Sequence, residues 1–251
     1  MEKEIPILFN TEMVQAILED RKTSTRRIIK PQPPKEMPSN VDFCVMPRPW
    51  VDKDIYYFQT LATLKQKEII WQRRYLPYRK DDILWVQETW KVDSINDGIN
   101  NMAIDFKAIQ EGYNAAEKLC DFKPDRYKKF RKFYQKNGWQ SPYFMPREAA
   151  RIFLKVTDVK VQKLQDITED EAKVEGIPND YPMNPVYCPK CKGEGLIGTL
   201  HPVSLGYMEI DCPNCGDIRV RFKNLWNSIY TKQGYGWDAN PWVWVIEFVK
   251  E

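Results

Sequence analysis

The apolar run Trp242-Val-Trp-Val-Ile-Glu-Phe-Val249 constrains this chain more than any other segment. A single charge, Glu247, interrupts it, so the run has no polar face and suits a strand buried on both sides. Further strands are expected at Ile5–Phe9, Val41–Val45, Ile69–Trp71 and within Asp81–Trp90. Arg151–Thr157 and Val159–Leu164 alternate with the period of a strand. Helices are expected where a capping residue precedes an apolar face. Asn10 precedes 11–19 with Val14, Ile17 and Leu18, and Thr168 opens a capping box with Glu171. Asp217 precedes Ile218, Phe222, Leu225, Trp226 and Ile229. Pro31, Pro33, Pro34 and Pro38 break regular structure between the first and second groups of elements.

The 251 residues are 43% hydrophobic and 29% charged, an ordinary globular composition. A net charge of +3 is too small to argue for nucleic acid by itself, so any such case must rest on local clustering. No apolar run reaches the length of a membrane span. The start, Met1-Glu-Lys-Glu-Ile-Pro, lacks the pattern of a secretory signal, and a cytoplasmic location with no membrane partner is expected. The pattern predicts an α+β chain: one domain over 1–251, built as a small mixed β-barrel with peripheral helices. A helical insertion is expected at 96–140 and a zinc-bearing insertion at 186–216. Within the former, 123–136 carries seven basic residues, with Tyr127, Phe130 and Tyr134 at helical spacing. A nucleic-acid backbone contact and a plain surface helix explain that stretch about equally well.

Four of the six cysteines form two knuckles, Cys188-Pro-Lys-Cys191 and Cys212-Pro-Asn-Cys215, with twenty residues between them. That spacing fits a zinc ribbon. Four thiolates complete a tetrahedral shell and leave no position for water, so a structural Zn2+ is expected. The only histidine, His201, lies between the knuckles and is unneeded as a ligand. Cys44 and Cys120 are isolated and expected to be inert thiols.

Arg21-Lys22-Thr23-Ser24-Thr25-Arg26-Arg27 places a lysine and hydroxyls among arginines. Neighbouring cations disfavour a protonated lysine, and a hydroxyl beside such a lysine can be activated. From this stretch alone, a solvated basic loop is the simpler expectation. Glu88, between Val86 and Trp90, needs a partner if buried, either Lys22 or an arginine. Arg147 is expected to contact a ligand or to form an ion pair.

Three segments in order resemble the ASCH domain family of the PUA-like superfamily: Arg21-Lys22-x-x-Thr25-x-Arg27, Asp166–Glu175, and Trp244-Val-Ile-Glu-Phe248. Asp82–Trp90 is similar to the family's turn-and-strand element. The chain as a whole resembles the large bacteriophage and prophage members, some of which are labelled morphogenetic proteins. Where the family usually has glycine before Arg-Lys, this chain has Asp20. The resemblance implies a PUA-like barrel whose cleft reads RNA, a nucleoside or a modified base. It also implies a candidate amidohydrolase that deacylates N4-acetylcytidine through a lysine, a threonine and a distant glutamate. These fall on Lys22, Thr25 and Glu175 as catalytic residues. Arg21, Arg26, Arg27, Trp85, Glu88, Trp90 and Arg147 are then candidate substrate contacts, with Trp85 or Trp90 stacking on a base. Two other functions remain open: a non-catalytic nucleic-acid-binding module and a phage assembly or protein-interaction factor. A ribonuclease using a histidine pair is excluded by the single histidine.

Overall fold

The computed structural model describes residues 3–32, 41–46, 55–60, 71–75, 77–108, 117–136, 138–177, 190–191, 196–200, 207–212 and 217–251. In chain order the elements are β1 (Glu4–Leu8), α1 (Thr11–Leu18), β2 (Ser24–Ile28), β3 (Val41–Met46), β4 (Ile55–Thr60) and β5 (Trp71–Tyr75). They continue with β6 (Ile83–Gln87), β7 (Trp90–Asn96), β8 (Asn101–Phe106), β9 (Glu117–Asp121), α2 (Pro124–Gln135) and β10 (Phe153–Lys163). The last are α3 (Glu169–Val174), β11 (Leu196–Leu200), β12 (Tyr207–Asp211), α4 (Ile218–Tyr230) and β13 (Trp242–Lys250). The class is α+β. Among the described residues no helix is long and apolar enough to cross a membrane.

The central sheet has the strand order β1-β6-β10-β13-β2. β1 runs parallel to β6, and the other neighbours are antiparallel. Its two ends, β1 and β2, are not paired to each other, so these described strands form an open sheet rather than the closed barrel expected. The long strand β10 merges the two runs read separately in the sequence, with a bulge between Val156 and Asp158. A bulge of this kind bends the strand without ending it.

β13 explains the unbroken apolar run. Side chains alternate along a strand. Trp244, Ile246 and Phe248 therefore face a core shared with Val14 and Ile17 of α1, Leu84, Val86 and Leu154. Val243 and Val245 face a second core with Ala172 of α3 and Phe222 and Trp226 of α4. The strand is the wall between two apolar layers. β2 pairs with it in the register Arg26↔Val245, Thr25↔Ile246 and Ser24↔Glu247. Thr25 thus lies on the α1 face, while Ser24 and Arg26 lie on the α3/α4 face.

The caps form as the sequence predicts. The Asn10 side chain accepts from Met13 N, Asp217 accepts from Arg219 N and Val220 N, and the reciprocal Thr168–Glu171 capping box is complete. Residues 96–140 differ from the expected helical insertion. They hold β8, β9 and the end of β7 as a three-stranded antiparallel sheet, with α2 as the only α-helix among the described residues there. Tyr127, Phe130 and Phe133 of α2 pack on that sheet with Trp90, Met102, Ile104 and Phe106. Tyr134, expected on the packed face, is 42% exposed, and Phe133 takes its place.

Since Ile246 is fully buried at the centre of β13, Ile246→Ala should lower unfolding free energy by about 3 kcal/mol through lost burial and the cavity left behind. Val249→Ala on the same strand, half exposed, should change it by no more than about 0.5 kcal/mol in the same denaturant titration.

Candidate functional site

The basic stretch is not a solvated loop. Lys22, Ser24, Thr25 and Arg26 are each no more than 3% exposed. Asp20, with φ at 56°, ends α1 in the left-handed region, which aspartate tolerates better than most residues. This is the position where the resembling family carries glycine. Arg21 N and Lys22 N then donate to Ala16 O, closing the end of α1.

The next contact is with the end of α3. Arg21 Nη1 donates to Gly176 O at 2.9 Å, Lys22 Nζ to Glu175 O at 2.7 Å, and Thr23 N to Val174 O at 2.9 Å. Thr23 and Lys22 therefore satisfy two carbonyls that the helix end leaves without partners, Val174 O and Glu175 O, and Arg21 takes the next carbonyl along the chain, Gly176 O. Gly176 permits the approach. Its φ is +85°, and a Cβ there would sit 2.8 Å from Ala16 Cβ and 2.9 Å from Lys22 Cβ.

Within this closure Lys22 Nζ also donates to Glu175 Oε2 at 2.8 Å and to Ser24 O at 2.8 Å. An ammonium has three protons, and all three are accepted. Arg26 Nη1 donates to the other carboxylate oxygen, Glu175 Oε1, at 2.9 Å, and its Nη2 lies 3.1 Å from Glu171 Oε2. Two cations and two carboxylates thus balance in charge. Burial pushes the Lys22 pKa below the ordinary lysine value; the adjacent Glu175 carboxylate opposes this, and Arg27 and Arg26 add to the lowering. Arg26 Nε and Nη2 and Ser24 Oγ are buried without hydrogen bonds among the described residues.

The structure brings Lys22 and Glu175 together. Thr25 faces the other layer, and no hydrogen bond joins its hydroxyl to Lys22 or Glu175 among the described residues. A base that activates a hydroxyl works within hydrogen-bond reach of it. Sequence reading missed Glu171 as a partner of Arg26. The signal was present, because residues four apart on a helix share a face and Glu171 precedes Glu175 by four.

A cavity of about 350 Å³ opens beside Glu175, near the lower end of the range of about 300–1,000 Å³ usual for small-molecule sites. Met13, Ile177 and Leu225 give it apolar walls, and Arg21, Lys107 and Arg221 bring cations to its lining. Of these only Arg21 is among the candidate contacts read from sequence.

The other candidates are held elsewhere. Glu88 is 1% exposed and takes a bidentate pair from Arg151 at 2.9 and 2.8 Å. Burial raises its pKa, and Arg151 opposes that rise. Arg147 makes a bidentate ion pair with Glu4, both bonds 2.7 Å. Arg27 donates to Leu8 O at 2.6 Å and lies over the Phe9 ring. Trp90 is fully buried against Phe133 at 5.2 Å between ring centres, so it has no free face to stack on a base. Trp85 packs partly buried against the same cluster.

Of the knuckle cysteines, Cys191 and Cys212 are buried, whereas Cys188, Cys215 and His201 lie outside the described residues. Among the described residues no group of three or more His, Cys, Asp or Glu side chains could hold a metal. Cys120 is buried, and burial pushes its thiol up to about 11, a value that leaves little thiolate at neutral pH. The side chain of Cys44 lies outside the description.

No known protein family, curated protein or solved structure matches this chain in direct comparison. The candidate site therefore rests on its residues and their geometry.

Removing one member of a buried ion cluster strands the others. Glu175→Gln should cost about 3 kcal/mol at neutral pH, because Lys22 and Arg26 would remain buried without their shared carboxylate. The pH dependence has a definite sign. With the Lys22 pKa below 10.5 in the fold, the unfolded chain binds its proton more tightly, so stability rises with pH between the folded value and 10.5. Loss of Glu175 lowers the folded value further. The deficit of Glu175→Gln in denaturant titrations should accordingly shrink as pH is raised towards 10.5. A deficit independent of pH would show that Lys22 is not the group responsible.

Proposed function

We propose that this chain is an ASCH-type, PUA-like protein that recognises a nucleobase, nucleoside or RNA in the cavity beside Glu175. The observation that carries this reading is the buried Lys22–Glu175 contact, formed by two residues 153 positions apart, at the positions the family resemblance assigns. Apolar walls suit a flat ring, and the lining mixes the cations Arg21, Lys107 and Arg221 with the carboxylates Glu12 and Glu175, a pairing that suits the carbonyl and amine groups of a base.

The specific activity proposed is hydrolysis of an N4-acetylcytidine-like amide. Thr25 Oγ would attack the acyl carbon and give its proton to Lys22 in the neutral form, with Glu175 orienting the lysine or passing a proton to the leaving amine. The acyl-threonine would then be hydrolysed by water, releasing acetate. Arg27 or a backbone amide would stabilise the oxyanion. A second reading is favoured by one observation: all three Lys22 protons are already accepted, and none of the acceptors is Thr25. In that reading the cleft binds its ligand without turnover.

Incubation with N4-acetylcytidine, with acetate release followed by mass spectrometry, separates the two. Turnover that disappears in both Lys22→Ala and Thr25→Ala supports hydrolysis; Thr25→Ala leaves the ion cluster in place and guards against simple misfolding. Saturable binding without acetate release supports the binding cleft. Neither binding nor release would overturn the assignment of this nucleoside class.

We also propose a structural Zn2+ on Cys188, Cys191, Cys212 and Cys215. The β11–β12 hairpin pairs Leu196 with Asp211, which brings the chain leaving the first knuckle beside the chain entering the second. Metal analysis should find about one zinc per chain, as a closed four-thiolate site requires. Cys212→Ser should lose it and melt at lower temperature. Metal-free protein with unchanged melting would exclude the site.

A further inference from the structure

Helix α2 presents an unusual surface. Of the seven basic residues between 123 and 136, two are neutralised. Arg126 makes a bidentate pair with Glu148 at 2.9 and 2.7 Å, and Arg131 one with Asp97 at 2.8 and 2.9 Å. The other five, Lys123, Lys128, Lys129, Lys132 and Lys136, are exposed and form no ion pair among the described residues. Asp125 is the only carboxylate within the helix.

Exposed aromatic rings lie against this face. Lys132 Nζ and Lys136 Nζ each sit 5.4 Å from the centre of the buried Phe133 ring. Phe144 packs on the same Phe133 at 6.1 Å, and Tyr143 meets Phe144 edge-on at 5.4 Å. Phe144 is 51% exposed and Tyr143 70%. Trp139, five residues before Phe144, is 47% exposed and is approached by Lys91 at 5.6 Å. Isolated exposed rings are common, but Tyr143 and Phe144 join through Phe133 to the unpaired Lys132 and Lys136 and form with them a combined polar and π surface; Trp139 stands beside Lys91, which is itself paired with Asp105.

The chemistry selects the partner. Lysine is depleted from protein–protein interfaces, whereas lysines along a groove or face neutralise phosphates. Exposed rings add stacking, which a duplex with its bases paired inside cannot use. We propose that the exposed face of α2, with Trp139, Tyr143 and Phe144, is a platform for single-stranded nucleic acid. The lysines contact phosphates, and Tyr143 and Phe144 stack on successive bases. This platform does not depend on the cavity beside Glu175, so its success or failure is separate from that of the cleft.

The test is fluorescence anisotropy of the full chain with labelled oligo(U) and oligo(dT) of about 20 nucleotides, long enough for one or more sites, and a duplex of equal length. A single strand should bind at about 50 mM salt, with log affinity falling linearly in log salt. Lys132→Glu/Lys136→Glu should weaken binding roughly tenfold or more and flatten that slope. Tyr143→Ala should weaken it roughly fivefold and leave the slope unchanged. Melting curves of both variants check the fold, and these surface changes should leave any nucleoside binding at the cavity intact. Three results would overturn the proposal: no single strand binds, which would leave the aromatic patch to a protein partner; both variants bind as the wild type does; or the duplex binds as tightly as the single strands.

Discussion

The contact between residues 21–23 and the end of α3 is the constraint on which the candidate site depends. α3 has six residues, too few to be stable alone, because the cost of nucleating a helix is recovered only over longer stretches. Its first turn is closed by Thr168 and Glu171, and its last carbonyls are closed by Lys22 and Thr23. The same segment closes α1 through Ala16 O. Lys22 therefore sits where two helix C-termini converge, and both favour a cation there. Chain closure and charge placement are one event.

That arrangement bears on what the cluster is for. Buried ion pairs seldom stabilise a fold more than apolar residues of the same shape would, because desolvation offsets the attraction. The cluster's members are also unequally satisfied. Lys22 has every proton accepted, while Arg26 Nε and Ser24 Oγ have no hydrogen bond among the described residues and Arg26 Nη2 is held by charge alone, 3.1 Å from Glu171 Oε2. Unmet hydrogen-bonding capacity in a buried polar network marks where a ligand or water has most to gain.

Much of the local structure was legible in the sequence. Asn10, Thr168 and Asp217 each cap the helix expected of them, and the unbroken apolar run became the strand between two cores. At 96–140 the sequence does carry a turn signal that opposes a helical insertion. Asp97-Gly98 lies in the β7–β8 connection, where Asn96 pairs with Asn101, and such a dipeptide between apolar runs is a strong hairpin indicator. Partnerships across long separations were not legible. Glu88 requires some cation once buried, but Arg151, Lys22 and Arg26 satisfy that requirement equally on paper. Trp90 likewise reads as a base-stacking ring or a core residue until Phe133 is seen against it. The parallel pairing of β1 with β6 decides where Glu4 meets Arg147, and no local pattern encodes it.

β2 is an outermost strand of the central sheet, and this position gives the site a particular topology. Its neighbours Thr25 and Arg26 open onto different compartments, one lined by α1 and the other by α3 and α4. In the interior of the sheet such compartments are separated by the neighbouring strand. Here Lys22, just ahead of β2, joins both: its ammonium is bound to Glu175 and stands 5.7 Å from the Phe9 ring of the α1 core. The lysine thereby ties the two compartments together at the edge of the sheet.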